Sequence, residues 1–277
     1  MSVAFTQDRD RAHRLCAIVE QRAGRYADDV EEAINNGTLA GRESELLDTF
    51  EQHTSSILDR LASSRWPKSH ELVFKELYDR KPDHLASECR RTLLVALLAA
   101  EVEFHGPLKL TQAQNSDLAA ILEELGAECL VEKLHLHAAE AFDRAAEIHL
   151  LTRDNIARDR CLYRRNLARQ RIERSAGRRA LLWISWLTCG YGYKPYRLLL
   201  WVLIQLVVFG ITLVVVARDQ SPLTSLHMVL TNYLNPAGGG DTNGLPAAAK
   251  SLLLTESYVG ALSLNIFFAL LVRRWFR

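Results

Sequence analysis

No stretch of this chain alternates apolar and polar residues with the period of a half-buried strand, so a β-sheet is not expected and the fold reads as all-α. The chain also lacks G-x-S-x-G, a Gly-rich phosphate loop and H-E-x-x-H. With no nucleophile grouped with a base, an enzyme is not expected, and neither is a cofactor. The five cysteines, Cys16, Cys89, Cys129, Cys161 and Cys189, include no C-x-x-C pair. That excludes a zinc or disulfide framework and leaves them as small buried side chains. The N-terminus is polar and charged and the first long apolar run begins near residue 198, so a signal peptide is not expected. Charge itself is scarce in two stretches: residues 198–217 hold none, and residues 252–272 hold only Glu256.

Those two stretches are what organises the rest. A helix rises 1.5 Å per residue, so roughly twenty residues cover the ~30 Å hydrocarbon core of a bilayer. Both runs are long enough to span it, and backbone in lipid must be helical to satisfy its own amides. Arg178, Arg179, Lys194 and Arg197 precede the first run; Arg273, Arg274 and Arg277 follow the second; the loop 218–251 has only Arg218 and Lys250 as cations. The positive-inside rule then predicts a multi-pass protein of the cytoplasmic (inner) membrane with both termini in the cytoplasm. The net charge of +1 hides an asymmetry. Residues 1–150 carry 17 Lys+Arg against 27 Asp+Glu, while residues 151–197 carry 12 against 3. An acidic head (1–175), a basic aromatic neck (176–197) and a membrane hairpin (198–277) is the expected layout. Next to a spanning helix the neck's partner is the lipid bilayer, at roughly 1 kcal/mol per well-placed cation, and no nucleic acid is expected.

The head reads as a series of helices. Apolar residues at helical spacing predict one over 8–34, ended by Asn35-Asn36-Gly37, a second over 42–64, and a short one over 70–80. Pro82 suits the first turn of the next, which runs to Phe104. Asn115-Ser116-Asp117 offers caps for another, and two or three helices are expected from there to about Arg174. Residues 137–153, HAAEAFDRAAEIHLLTR, resemble the second helix of a tetratricopeptide-type hairpin, where small Ala residues let helices approach and an aromatic, here Phe142, fills the gap. His135, His137 and His149, with Glu132 and Glu140 nearby, raise a metal reading. The His-x-His pair points its rings about 200° apart on one helix, so the histidines read as surface or groove residues and no metal is expected.

In the neck, Trp183, Trp186, Tyr191, Tyr193 and Tyr196 crowd with Arg178, Arg179, Lys194 and Arg197, the composition of a segment lying in the headgroup layer. Gly190-Tyr191-Gly192 has the letters of a potassium-channel filter but precedes the first span, and reads as a bend. The run CGYGYKPYRLLLW, a span, an outer loop and then ESYVGALSLNIFFALLVRRWFR resemble the bacterial two-transmembrane ion-channel family, related to potassium channels, over residues 183–277. The resemblance implies a homotetramer passing ions, with a pore helix and filter in the outer loop and the second helix lining the inner half of the pore. Glu256 and Gly260 match the Glu and Gly early in that helix. The family's filter is close to Thr-Thr-x-Gly-Tyr-Gly-Asp; here the stretch carries Thr231, Asn232, Gly238, Gly239, Gly240 and Asp241, without the tyrosine. Residues 225–234 are then a re-entrant pore helix, or the glycine-rich stretch is a flexible external turn. At 100° per residue Glu256, Gly260, Ser263 and Phe267 share one face, with Ser257, Ala261 and Asn265 on the other side, so these residues line a pore or pack helices. The reading that follows is a channel gated by its helical head through a signal or partner protein, of a kind suited to a stress or phage-defence effector that permeabilises the membrane. Its alternative is a non-conducting, membrane-anchored interaction module.

Overall fold

A computed structural model describes residues 2–61, 66–67, 71–80, 86–218, 220–235 and 245–275. The described residues are all helix, turn and loop, without a strand. They divide into two compact units, Met1–Ala176 and Gly177–Arg277.

The first unit holds α1 (Ser2–Asn35), α2 (Leu39–Leu61), α3 (Lys75–Tyr78), α4 (Ala86–His105), α5 (Gln112–Val131), α6 (His135–Leu151) and α7 (Asn155–Ile172). Helix α1 stops where the sequence implied: Gly37 sits at φ +66°, and Thr38 N donates to Ala33 O, closing the last turn. Helices α1 and α2 start earlier than expected, at Ser2 and Leu39, and two further elements differ for reasons that the side chains give. The helix expected over 70–80 is only Lys75–Tyr78, because the buried Glu103 of α4 takes the Val73 and Phe74 N–H groups (2.5 and 3.3 Å) and the Tyr78 hydroxyl (2.8 Å). The carboxylate takes up N–H groups at the entry of the short helix and so acts as its cap, marking where it begins. Helix α5 begins before Asn115. Thr111 is its cap, exchanging hydrogen bonds with Gln114 in a capping box, and Asn115 is already inside the helix. The expected Pro82 start of α4 lies outside the described residues.

Helices α5, α6 and α7 form two successive hairpins joined by the same turn. Lys133 (φ +64°) and Arg153 (φ +61°) each take the left-handed conformation, and Leu134 N and Asp154 N reach back to Cys129 O and His149 O. Phe142 fills the seam. A Cβ on Gly126 would stand 3.0 Å from its ring, so glycine is what lets α5 and α6 close. Ala138, Ala139, Ala141, Ala145 and Ala146 are buried along the same helix. Ion pairs zip the unit: Arg144 forks onto Glu101 of α4 (3.0 and 2.5 Å), Arg90 bridges Glu31 and Glu132, and Arg165 meets Asp143 at 2.6 Å. Burial pushes the Cys16 thiol up to about 11 and the Cys161 thiol up to about 12, so both remain protonated core groups.

Burial works to raise the Glu101 carboxyl, but the hydrogen bonds from His105 and Arg144 outweigh it and hold the group below its ordinary value. A depressed folded value stabilises the head above the unfolded carboxyl range of about 4.3, and the contribution is lost as the pH falls through the folded value. Between about pH 5 and pH 3 the Glu101→Gln chain should therefore lose less stability than the parent, although it starts lower. Denaturant midpoints at each pH check this; parallel curves would remove Glu101 as the titrating group.

The second unit holds α8 (Ala176–Cys189, whose first residue belongs to the other unit), α9 (Pro195–Val216), α10 (Pro222–Leu234) and α11 (Ala247–Trp275). Gly190, Tyr191 and Gly192 all have positive φ (+55°, +56°, +81°), which makes the Gly-Tyr-Gly triplet a left-handed cap on α8. Among the described residues two helices are long and apolar enough to cross a membrane, over Tyr196–Val216 (21 residues) and Ala247–Val272 (26 residues). Only 11% and 17% of their most apolar windows are buried, unlike the core helix of a soluble domain. The second starts at Ala247, not 252, because Pro246 can open a helix it cannot continue, so the connection is shorter than the expected loop 218–251.

Candidate functional site

Helix α10 is the element on which the site turns. Ser221 caps it through Thr224 N (3.1 Å) and Pro222 occupies its first turn, so Ser-Pro sets where the chain re-enters a helix. Residues 225, 229 and 233 recur every four positions, and Ser225, Val229 and Tyr233 are the face it buries. Val229 packs with Leu213 of α9 and Ala217 just after it, and with Leu245 just before α11 and Ala249 and Leu253 within it.

Above that apolar layer the three helices are held by polar side chains. Asn232 Nδ2 donates to Leu253 O (2.7 Å) and to Glu256 Oε2 (3.1 Å). Gln205 Oε1 of α9 accepts from Tyr233 OH (3.3 Å) and from Ser263 Oγ (3.3 Å). Glu256 is 0% exposed, and its second oxygen, Oε1, has no partner among the described residues. Gly260 lies under the Tyr233 ring, where a Cβ would stand 2.9 Å away. In hydrocarbon such contacts are what hold helices together, since lipid offers neither water nor hydrophobic drive.

Most of the expected site residues have a place among the described residues. Glu256, Gly260 and Ser263 share the face turned toward α9 and α10, with Phe267 partly covered below them, while Asn265 is exposed on the far side of α11. Thr231 and Asn232 are in the last turn of α10: the Thr231 hydroxyl bonds its own helix at His227 O (2.6 Å), and neither residue has the extended backbone of a filter wall. Gly238, Gly239, Gly240 and Asp241 lie outside the described residues. In the neck, Arg178, Arg179, Lys194 and Trp183 are exposed. Arg197 turns back instead: its guanidinium lies 5.8 Å from the Trp186 ring centre and donates to Trp186 O (3.3 Å), and Trp201 Nε1 donates to Leu187 O (3.0 Å). These two side chains satisfy the end carbonyls of α8 and tie it to α9. The basic count of residues 151–197 is partly spent inside the head, where Arg160 and Arg164 face Glu123 and Arg165 and Arg169 face Asp143.

Sequence reading missed one feature. The exposed face of α9 between Leu199 and Val216 is made only of Leu, Ile and Val, whereas on α11 the exposed residues include Ser251, Thr255, Tyr258 and Asn265 beside the apolar Leu254, Leu262, Ile266, Phe268 and Val272. The signal was present in the three- and four-residue spacing of those polar positions, on the side opposite Glu256.

The histidines separate as well. His137 is buried between Glu43 (Nδ1 to Oε1, 3.1 Å) and Tyr26 (Nε2 to OH, 2.5 Å), and His149 bonds Glu123 (3.0 Å). Glu123, His149 and Cys161 bring ligand atoms within 4.8 Å of one another. Arg160 already holds both Glu123 oxygens (3.0 and 2.6 Å), so a dication there would have to displace a guanidinium, and the group is an ion-pair node.

Neither a protein-family model, nor a curated protein, nor a solved structure matches the chain.

Proposed function

We propose that the chain is the subunit of an oligomeric membrane channel, a homotetramer in the two-transmembrane manner, whose helical head biases it between closed and open. The observation that carries this reading is the contrast between the spans. The outer face of α9 is purely aliphatic and suits lipid, while that of α11 presents two hydroxyls, a phenol and an amide over the same depth. Polar groups facing hydrocarbon are costly, so this stripe belongs against water or other copies of the chain, and a ring of α11 helices around an axis provides both. Helix α10, capped by Ser221 and tied to α11 by Asn232, fits a pore helix. Arg178, Arg179 and Lys194 would sit at an anionic cytoplasmic lipid surface. The head, with its tetratricopeptide-like hairpins, would receive a partner or signal that binds the two states with different affinity.

Purified full-length chain in planar bilayers should pass ionic current. Asn265→Trp on the α11 stripe should lower unit conductance several-fold, and Ile211→Trp on the lipid face of α9 should leave it unchanged. The second reading, a non-conducting membrane-anchored interaction module, is favoured by the helical backbone of Thr231 and Asn232, which removes two candidate filter residues. No current, with a stable complex between the head and another protein, would establish that reading instead.

A further inference from the structure

Glu256 is the only carboxyl of the membrane unit among the described residues, and it is fully buried. Asn232 Nδ2 reaches its Oε2 at 3.1 Å, while Oε1 has no partner among the described residues. Its surroundings offer no counter-charge. Of the other described titratable side chains on α9, α10 and α11, Tyr233 alone is buried, and its hydroxyl is turned to Gln205 (3.3 Å). Tyr196, His227, Lys250 and Tyr258 are exposed, and Arg197, at the start of α9, donates to Trp186 O. Lys250 is about 9 Å from Glu256 along the helix axis, and positions 273 and 274, both arginine, come about five turns further on. The connection 236–244 lies outside the described residues, but its sequence contains no Lys, Arg or His and so brings no cation. A second copy of the chain cannot supply one without unpacking the unit, because no part of Glu256 is accessible.

We infer that Glu256 is a proton-binding site within the membrane, occupied while α9, α10 and α11 are packed together. The inference needs the spans to lie in lipid and is independent of whether they conduct. A carboxylate removed from water keeps its charge only where a cation or several donors replace the hydration it gives up. Here a single amide donor meets a group with about four acceptor positions. Taking a proton from water cancels the charge: an O–H bond forms on one oxygen and the other remains a carbonyl. The proton belongs on Oε1, because Oε2 already accepts from Asn232. A metal ion does not suit the same place. Stripped of water it needs several oxygen ligands, and the Leu253 carbonyl beside Asn232 is already taken by Nδ2 (2.7 Å). The bound proton makes this contact a latch. Both hydrogens of the Asn232 amide are spent on α11, at Leu253 O and Glu256, so a neutral pair holds the two helices together. Removing the proton would leave an uncompensated charge in the seam.

The test is the infrared difference spectrum between the full-length chain and Glu256→Gln at neutral pH, in an alkyl glycoside detergent that has no carbonyl of its own. The parent should show the carbonyl stretch of a neutral carboxylic acid, moved to lower frequency in heavy water and lost from the variant. Neutral carboxyls of the head contribute to both chains and cancel. Glu256→Met, with no carbonyl in its side chain, allows the same subtraction if the amide variant assembles poorly. Loss of a carboxylate stretch on substitution, with no acid carbonyl band, would overturn the inference whether or not the chain passes current.

Discussion

Replacing His137 by alanine should lower the stability of the head by roughly 3–5 kcal/mol, the combined cost of the cavity left by a buried ring and of the hydrogen bonds it makes. Three elements meet at this ring. Tyr26 of α1 stands 2.5 Å from Nε2, Glu43 of α2 stands 3.1 Å from Nδ1, and the same Glu43 oxygen accepts from Leu136 N at 2.7 Å, at the start of α6. All three side chains are essentially inaccessible. With the proton on Nδ1 facing the carboxylate, Nε2 accepts from the Tyr26 hydroxyl and every polar atom of the ring is satisfied. Removing the ring leaves Glu43 short of a donor and Tyr26 without an acceptor, and opens a cavity between Phe50 and Tyr26, both of which pack on the imidazole. Tyr26→Phe removes one donor and no volume, so it should cost only about 1–3 kcal/mol. Denaturant unfolding of the full chain, followed by helical ellipticity, ranks the two. Equal losses would mean that the Tyr26–His137 hydrogen bond accounts for the whole effect; no loss from Tyr26→Phe would mean that the ring acts as packing alone.

Gly260→Val should separate α10 from α11 and, on the channel reading proposed above, abolish current. The new Cβ would stand 2.9 and 3.0 Å from the Tyr233 ring, and that ring cannot retreat: it is 1% exposed and its hydroxyl is bonded to Gln205 on α9. Overpacking of this kind costs about 1–3 kcal/mol where the neighbours hold firm. Here the neighbour is the ring through which α10 is tied to both spans. Adding Tyr233→Ala should return part of the thermal stability in detergent, since the clash partner is gone, and the coupling of the two changes measures the contact. Gly210→Ala is the contrast. Its Cβ would meet only Leu226, at 3.6 Å, and should be tolerated. If Gly260→Val keeps parental stability and current, α10 is not held by this contact.

The α5–α6 hairpin was legible from residues 137–153, because Ala at close-approach positions and one aromatic at the gap are local features of a single helix. What the aromatic meets was not. Gly126 lies on another helix, and nothing in its own neighbourhood distinguishes it from a loop glycine. The histidines failed in the same way. Sequence spacing showed that His135 and His137 diverge, but the partners that decide their roles, Glu43 and Tyr26 for His137, are about a hundred positions away in the chain. The early start of α5 was an oversight of reading: Thr111 and Gln114 have the spacing of a capping box, and the more conspicuous Asn115-Ser116-Asp117 drew the boundary.

By itself the sequence determined the all-helical class, the two apolar helices and the turn at Gly190-Tyr191-Gly192. Each follows from local terms: backbone self-satisfaction, an uncharged length set against bilayer thickness, and glycine's freedom at positive φ. Only the tertiary structure decided which side of α11 faces the rest of its unit. Glu256 and Asn265 sit on one helix with similar hydropathy around them, and periodicity alone gives both faces polar residues. The face that packs is fixed by Asn232 and Gln205, donor and acceptor on other helices, because a carboxylate and a hydroxyl removed from water go where their hydrogen bonds can be made.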